Sequence, residues 1–157
     1  MAYWRLHYHV VWATHRRTPW LSGKVARIVE AAIRTKVRQL GGVTHAVGVM
    51  PDHVHVAASI PPGVALSDVI GQAKGLSSFL VGERCPDVAE AGFQWQGSFG
   101  ITSISQTSLP RLLDYVNNQE TRHRERTLYA GLERTDVVRP ARRPARSPIG
   151  ADPDVTS

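Results

Sequence analysis

The sequence predicts an α+β domain: a ferredoxin-like (RRM-like) split βαβ antiparallel sheet with an extra C-terminal helix. Three observations carry this. Hydrophobic spacing switches between a period of two and a helical period in the order β-α-β-β-α-β. The two middle strands are separated only by Pro51-Asp52, too short for a crossover, so they pair as an antiparallel hairpin. After the fourth strand, Ser108 followed by Pro110 is the start signal of one more helix.

Taken in order, Trp4 to Thr14 is rich in aromatic and β-branched residues and reads as a strand. His7, His9 and Val11 share one face; Tyr8, Val10 and Trp12 share the other. Arg16 and Arg17 follow at the strand end, where a phosphate contact and a solvated loop are equally good readings. Ser22 to Leu40 is a helix, capped by Ser22, striped by Val25, Ile28, Val29, Ala32, Ile33, Val37 and Leu40, and ended by Gly41-Gly42. Val43 to Met50 and His53 to Ile60 form the hairpin, which Pro61-Pro62-Gly63 stops. Ala65 to Val81 is a second helix, with Lys74 off its apolar stripe, and 82–92 is a loop.

Phe93 to Ser105 is the fourth strand, where Gly97 and Gly100 suggest a bulge or a close backbone approach. The last helix runs from Ser108 to about Leu128. Leu109, Leu112, Leu113 and Val116 give it one apolar patch; beyond them it is polar, so it is expected to dock on a partner surface or a second subunit. From Thr135 on, Pro, Arg, Ala and Asp dominate without periodicity. The expected organisation is one domain over 1–134 and a flexible basic tail over 135–157. Helices are expected on one face of the sheet and the histidines on the other.

The chain has 157 residues, enough for one compact core, and a formal net charge of +6 supplied almost wholly by arginine. Arginine grips phosphate through a bidentate fork, so nucleic acid is the leading partner class; a basic protein without such a partner is the alternative. No apolar run approaches the roughly 20 residues of a membrane span, and no apolar leader is visible in 1–17, so no membrane is expected. Cys85 is the single cysteine, which excludes an intrachain disulfide and suits a reducing cytoplasm.

The chemistry centres on Met50-Pro51-Asp52-His53-Val54-His55-Val56. In a strand, His53 and His55 point the same way, and two neutral imidazoles make half of a divalent-metal site. His7-Tyr8-His9 is a second His-x-His and ranks lower, since no turn precedes it; His9 is still able to sit near a metal on an adjacent strand. The last helix supplies what the hairpin lacks. Tyr115 and Gln119 lie one turn apart on one face and His123 continues the row. A phenol can act as nucleophile and an amide oxygen can complete a His/His/O site. An amphipathic anchor for Tyr115 and an ordinary polar residue for Gln119 are the plainer readings.

MPDHVHV followed by YVNNQ resembles the HUH-type single-tyrosine transposases of bacterial insertion sequences, the IS200-like group that includes the REP-associated tyrosine transposases. The opening strand (YHVVWATHRR), the second helix (LSDVIGQAKGLSS) and WQGSFGITSIS resemble that family in order and spacing, over roughly residues 3 to 130. The resemblance implies a divalent cation, Mg or Mn, on His53, His55 and Gln119, with Tyr115 as nucleophile. It implies a single-stranded DNA substrate with hairpins, a 5′-phosphotyrosine intermediate and no nucleotide cofactor. It also implies a homodimer in which the tyrosine helix often serves the other subunit. Arg16, Arg17, Lys74 and His123 are candidate DNA contacts, and Trp4, Trp12, Trp95 and Phe99 candidate stacking platforms. A domesticated strand-nicking enzyme, a non-catalytic nucleic-acid-binding module and a His-based metallohydrolase are the alternatives. The Arg/Pro tail matches nothing in the family, and Phe99 stands where relatives often have tyrosine.

Overall fold

The computed structural model describes residues 3–125 and 130–135. Four strands, β1 (His7–Ala13), β2 (Val43–Val49), β3 (His53–Ser59) and β4 (Gly100–Ile104), form one antiparallel sheet in the order β2-β3-β1-β4. That is the expected split βαβ order. Helices α1 (Gly23–Gln39) and α2 (Leu66–Arg84) cover the back of the sheet.

The back face is built by strand alternation. Val10 and Trp12 of β1 and Val54, Val56 and Ala58 of β3 pack against Ile28, Ile33 and Val37 of α1 and Val69, Ile70 and Ala73 of α2. Each large side chain so buried contributes about 1.5–3 kcal/mol. α1 stops where Gly41 takes φ +83°, the left-handed conformation that closes helices, and Gly42 N–H returns to the Val37 carbonyl at 2.9 Å.

Three expectations are corrected. The fourth strand is only Gly100–Ile104; residues 93–99 are irregular and are tied down instead. Trp95 makes an isolated bridge to Thr14, and the half-buried Lys74 donates to the carbonyls of Gln96 (2.8 Å) and Ser98 (3.1 Å). The loop over 82–92 contains a short helix, α3 (Pro86–Glu90), begun by proline in its first turn. The last helix breaks at Asn118 into α4 (Leu109–Asn117) and α5 (Gln119–Glu125). There the Asn118 amide donates to the Asp114 carbonyl at 2.8 Å and the backbone turns to φ −108°, ψ 24°, so a side chain competes with the helical ladder.

The front face is not bare either. α4 lies across it, with Leu109, Leu112 and Val116 on Ala46 and Ala57. The small alanines let the helix come close, and this apolar stripe holds α4 on its own sheet. A final short helix, α6 (Ala130–Glu133), touches β1 and β4. The expected basic tail lies, from residue 136 on, outside the described residues.

Candidate functional site

The site grows from the third strand. β3 is buried on both sides, and its alternation sends Val54 and Val56 back and His53 and His55 forward. The two imidazoles are 3% and 0% exposed, with ring centroids 5.0 Å apart. Each is held from behind. The Asp52 carboxylate accepts from His53 Nδ1 at 2.6 Å, and His9, reaching across from β1, stands with Nε2 2.8 Å from His55 Nδ1. His9 was expected near the site, and the neighbouring strand puts it there.

α4 and α5 bring the remaining predicted residues to the same place. Gly48 pairs with His55 on the other side of the hairpin. A Cβ at Gly48 would stand 2.6 Å from the Val116 carbonyl oxygen and 3.3 Å from Gln119 Cγ, so the helix seats where a side chain is missing. Tyr115 is buried, with its ring 5.9 Å from that of His55. Gln119 Nε2 donates to the Tyr115 carbonyl at 3.0 Å, while its Oε1 is buried without a hydrogen-bond partner. The His123 ring lies beside that of His53, 4.8 Å between centroids and tilted by 53°. It therefore stands among the histidines, where a DNA contact was expected of it.

The sequence reading missed Glu133, at the end of α6. Its Oε1 accepts the Tyr115 hydroxyl at 2.5 Å. Its Oε2 lies 3.2 Å from His55 Nε2, 3.4 Å from His53 Nε2 and 3.8 Å from His123 Nε2. One carboxylate thus touches the phenol and all three imidazoles. The signal was present in Gly100: a Cβ there would collide with the Arg134 carbonyl oxygen, the residue after Glu133. The expected close backbone approach is real, and it delivers the acid. A Cβ at Gly97, by contrast, would meet nothing within 4 Å.

These residues fit a metal ion. Ligand atoms of His53, His55, His123 and Glu133 all lie within 4.8 Å of one another. The three Nε2 atoms are buried without a directed hydrogen bond, as is Gln119 Oε1, and polar atoms so buried are costly unless something takes them up. Imidazole nitrogens with a carboxylate suit Mn²⁺ or Zn²⁺ better than Mg²⁺, which prefers oxygen.

The electrostatics favour uncharged rings at His9, His55 and His123. Burial, then the charge of His55, lowers the His9 pKa to about 3. His55 and His123 are also lowered, chiefly by burial, although Glu133 opposes this in both. Burial alone would raise the Glu133 pKa. Its contacts with His53, His55 and Tyr115 outweigh that and hold it well below the carboxylate range. A cavity of about 360 Å³ opens beside Tyr115, lined by Ile104, Ser108, Arg111, Leu112 and Leu132.

The other predicted contacts stand apart. Arg16 and Arg17 are exposed on the turn after β1, both with positive φ (55° and 56°). Arg17 lies 3.8 Å from Asp52 and so sits on the rim of the site. Lys74 is on the far side of the sheet, holding the 93–99 segment, with its pKa lowered by burial. Trp12 and Trp95 are core residues; Trp4 and Phe99 are part-exposed. His7 belongs to a separate group, bonding Ser59 (2.6 Å) and Gln106 (2.5 Å).

Comparison with known proteins points to one family. The family model "Transposase IS200 like" matches residues 2–119. The ISDra2 transposase TnpA of Deinococcus radiodurans is 29% identical over 119 residues, covering 74% of this chain and 85% of that protein. The transposase for insertion sequence element IS200 of Salmonella typhimurium is 26% identical over 120 residues, covering 74% and 78%. A REP-associated tyrosine transposase solved bound to a REP hairpin superposes with a TM-score of 0.60 at 17% identity, covering 88% of this chain and 94% of that one, and so shares the fold. The chain belongs to the IS200-like transposase family, enzymes of DNA strand cleavage and transfer.

Proposed function

We propose that this transposase cleaves and rejoins single-stranded DNA at hairpin-bearing ends, with Tyr115 as nucleophile and a divalent cation held by His53 and His55. The observation that carries the reading is the Tyr115 hydroxyl, buried against the imidazole pair and sharing a carboxylate with it. A tyrosine that only anchored its helix would not need its phenol at the most polar point of the sheet. Gln119, His123 and Glu133 are the further groups placed to complete the ligand set. When bound, the ion supplies positive charge to a phosphate oxygen.

The chain's own residues do the rest. Tyr115 Oη attacks phosphorus and its proton passes toward Glu133 Oε1. The bond from phosphorus to the 3′ oxygen breaks and that oxygen takes up the proton, leaving a free 3′-hydroxyl and a 5′-phosphotyrosine. Attack by another 3′-hydroxyl reverses the step and joins new strands, so no nucleotide cofactor is consumed. Arg111 at the lip of the cavity and Arg17 on the rim are suited to flanking phosphates. A hairpin substrate is supported by the relative solved with a REP hairpin. The packing of α4 on its own sheet supports a tyrosine that serves its own chain, whether one copy or a homodimer engages the DNA.

The test uses end-labelled hairpin-bearing single strands with Mn²⁺ or Mg²⁺ and a denaturing gel. A covalent adduct is expected, lost in Tyr115→Phe and on chelation, and stronger with Mn²⁺. Cleavage that survives Tyr115→Phe would mean that activated water, not the phenol, is the nucleophile.

A further inference from the structure

We propose that His9 and Asp52 are positioning residues which set the ring tautomers of the two metal-facing histidines, Asp52 for His53 and His9 for His55, and that they do so unequally. This rests on the reading of His53 and His55 as ligands. Both rings present Nε2 to the cluster and Nδ1 to a partner behind. A neutral imidazole has one N–H, so the partner on Nδ1 decides whether Nε2 offers a lone pair or a proton.

The partners differ in kind. Asp52 accepts and cannot donate; at 2.6 Å its carboxylate fixes the proton on His53 Nδ1, so that the neutral ring presents its lone pair at Nε2. Arg17 lies 3.8 Å from the other Asp52 oxygen. His9 is an imidazole, 1% exposed, and either nitrogen of the 2.8 Å pair can carry the proton. Without metal, Glu133 Oε2 beside His55 Nε2 calls for a proton on that nitrogen, and His9 Nε2–H then donates to His55 Nδ1. With metal, Nε2 must be bare: the His55 Nε2 proton leaves, the proton between the rings passes to His55 Nδ1, and His9 takes one up on its own Nδ1, so that the same hydrogen bond runs from His55 Nδ1–H to His9 Nε2 and both rings stay neutral. A carboxylate behind His55 could not follow this reversal. His53 is therefore the fixed ligand, and His55 is a convertible one that keeps its hydrogen bond in both states.

The experiment uses the full chain with Mn²⁺ titrated calorimetrically, and long-range ¹H–¹⁵N spectra of the ring nitrogens with and without the diamagnetic Zn²⁺. The metal-free spectrum should show His53 protonated on Nδ1 and His55 on Nε2; Zn²⁺ should move the His55 proton to Nδ1 and leave His53 unchanged. His9→Phe keeps a buried ring but removes the acceptor, and about 10- to 100-fold weaker Mn²⁺ binding is expected. Asp52→Ala should lose a similar factor and let His53 change tautomer. His9→Gln, which can donate and accept, should recover most of the affinity; it also guards against a His9→Phe chain that fails to fold. Wild-type Mn²⁺ affinity in His9→Phe, or a His55 proton that does not move on Zn²⁺ binding, overturns the proposal while leaving the metal site intact. A wild-type chain that binds neither ion overturns both.

Discussion

The back of the sheet buries Val10, Trp12, Val54 and Val56 under two long helices, whereas the front buries His9, His53 and His55 under three short ones. The same strands serve both faces by alternation. On the back, interchangeable apolar groups give non-directional stability. On the front, beside the Leu109, Leu112 and Val116 stripe, polar side chains are paired with particular partners: His9 with His55, Asp52 with His53, Glu133 with Tyr115. Several polar atoms there are buried unpaired. Stability is thus concentrated on one face and chemical potential on the other, the trade expected when a site is held ready for a ligand.

The contrast can be broken most severely by acid. In metal-free protein His9 ordinarily titrates near 6.5 when unfolded and near 3 when folded. Below pH 6.5 the unfolded chain therefore binds a proton that the native chain refuses. The stability contribution is complete above that pH and falls by about 1.4 kcal/mol per pH unit down to about 3. Urea unfolding at stepped pH should show a slope at least this steep, because His55 and His123 are lowered as well, and His9→Gln should lessen it. On the back face Ile33→Ala should cost about 2–5 kcal/mol in urea unfolding while folded molecules keep wild-type Mn²⁺ affinity. If affinity fell equally, the faces would not be separable.

Gly48→Ala tests the seat between the faces. Its new methyl meets a backbone oxygen, so α4 must shift at a cost of about 1–3 kcal/mol, and tyrosyl-DNA adduct should fall more than stability does. Adduct at the wild-type level would show that the seat is not needed. The smallest expected effect belongs to Glu133→Gln. It keeps an acceptor for Tyr115 but removes the charge facing the imidazoles, and Mn²⁺ affinity measured calorimetrically should drop about 10-fold, roughly 1.4 kcal/mol. Unchanged affinity would remove Glu133 from the ligand set.

By itself the sequence determined the sheet, its order and the imidazole pair. These rest on local rules: alternation in HVHVAAS, a two-residue hairpin connection, helical stripes and caps. It also determined that Tyr115, Gln119 and His123 share a helix face, because one turn of helix is a local geometry that survives even the break at Asn118. Tertiary structure alone decided what meets that face. Gly48 and Gly100 admit two segments whose approach depends on a missing Cβ, and only this brings Glu133, distant in sequence, to Tyr115 and the histidines. A lone glutamate in AGLERT carries no periodicity or spacing to mark it. Its role comes from a three-dimensional coincidence of a carboxylate, a phenol and imidazoles, and no local propensity encodes that.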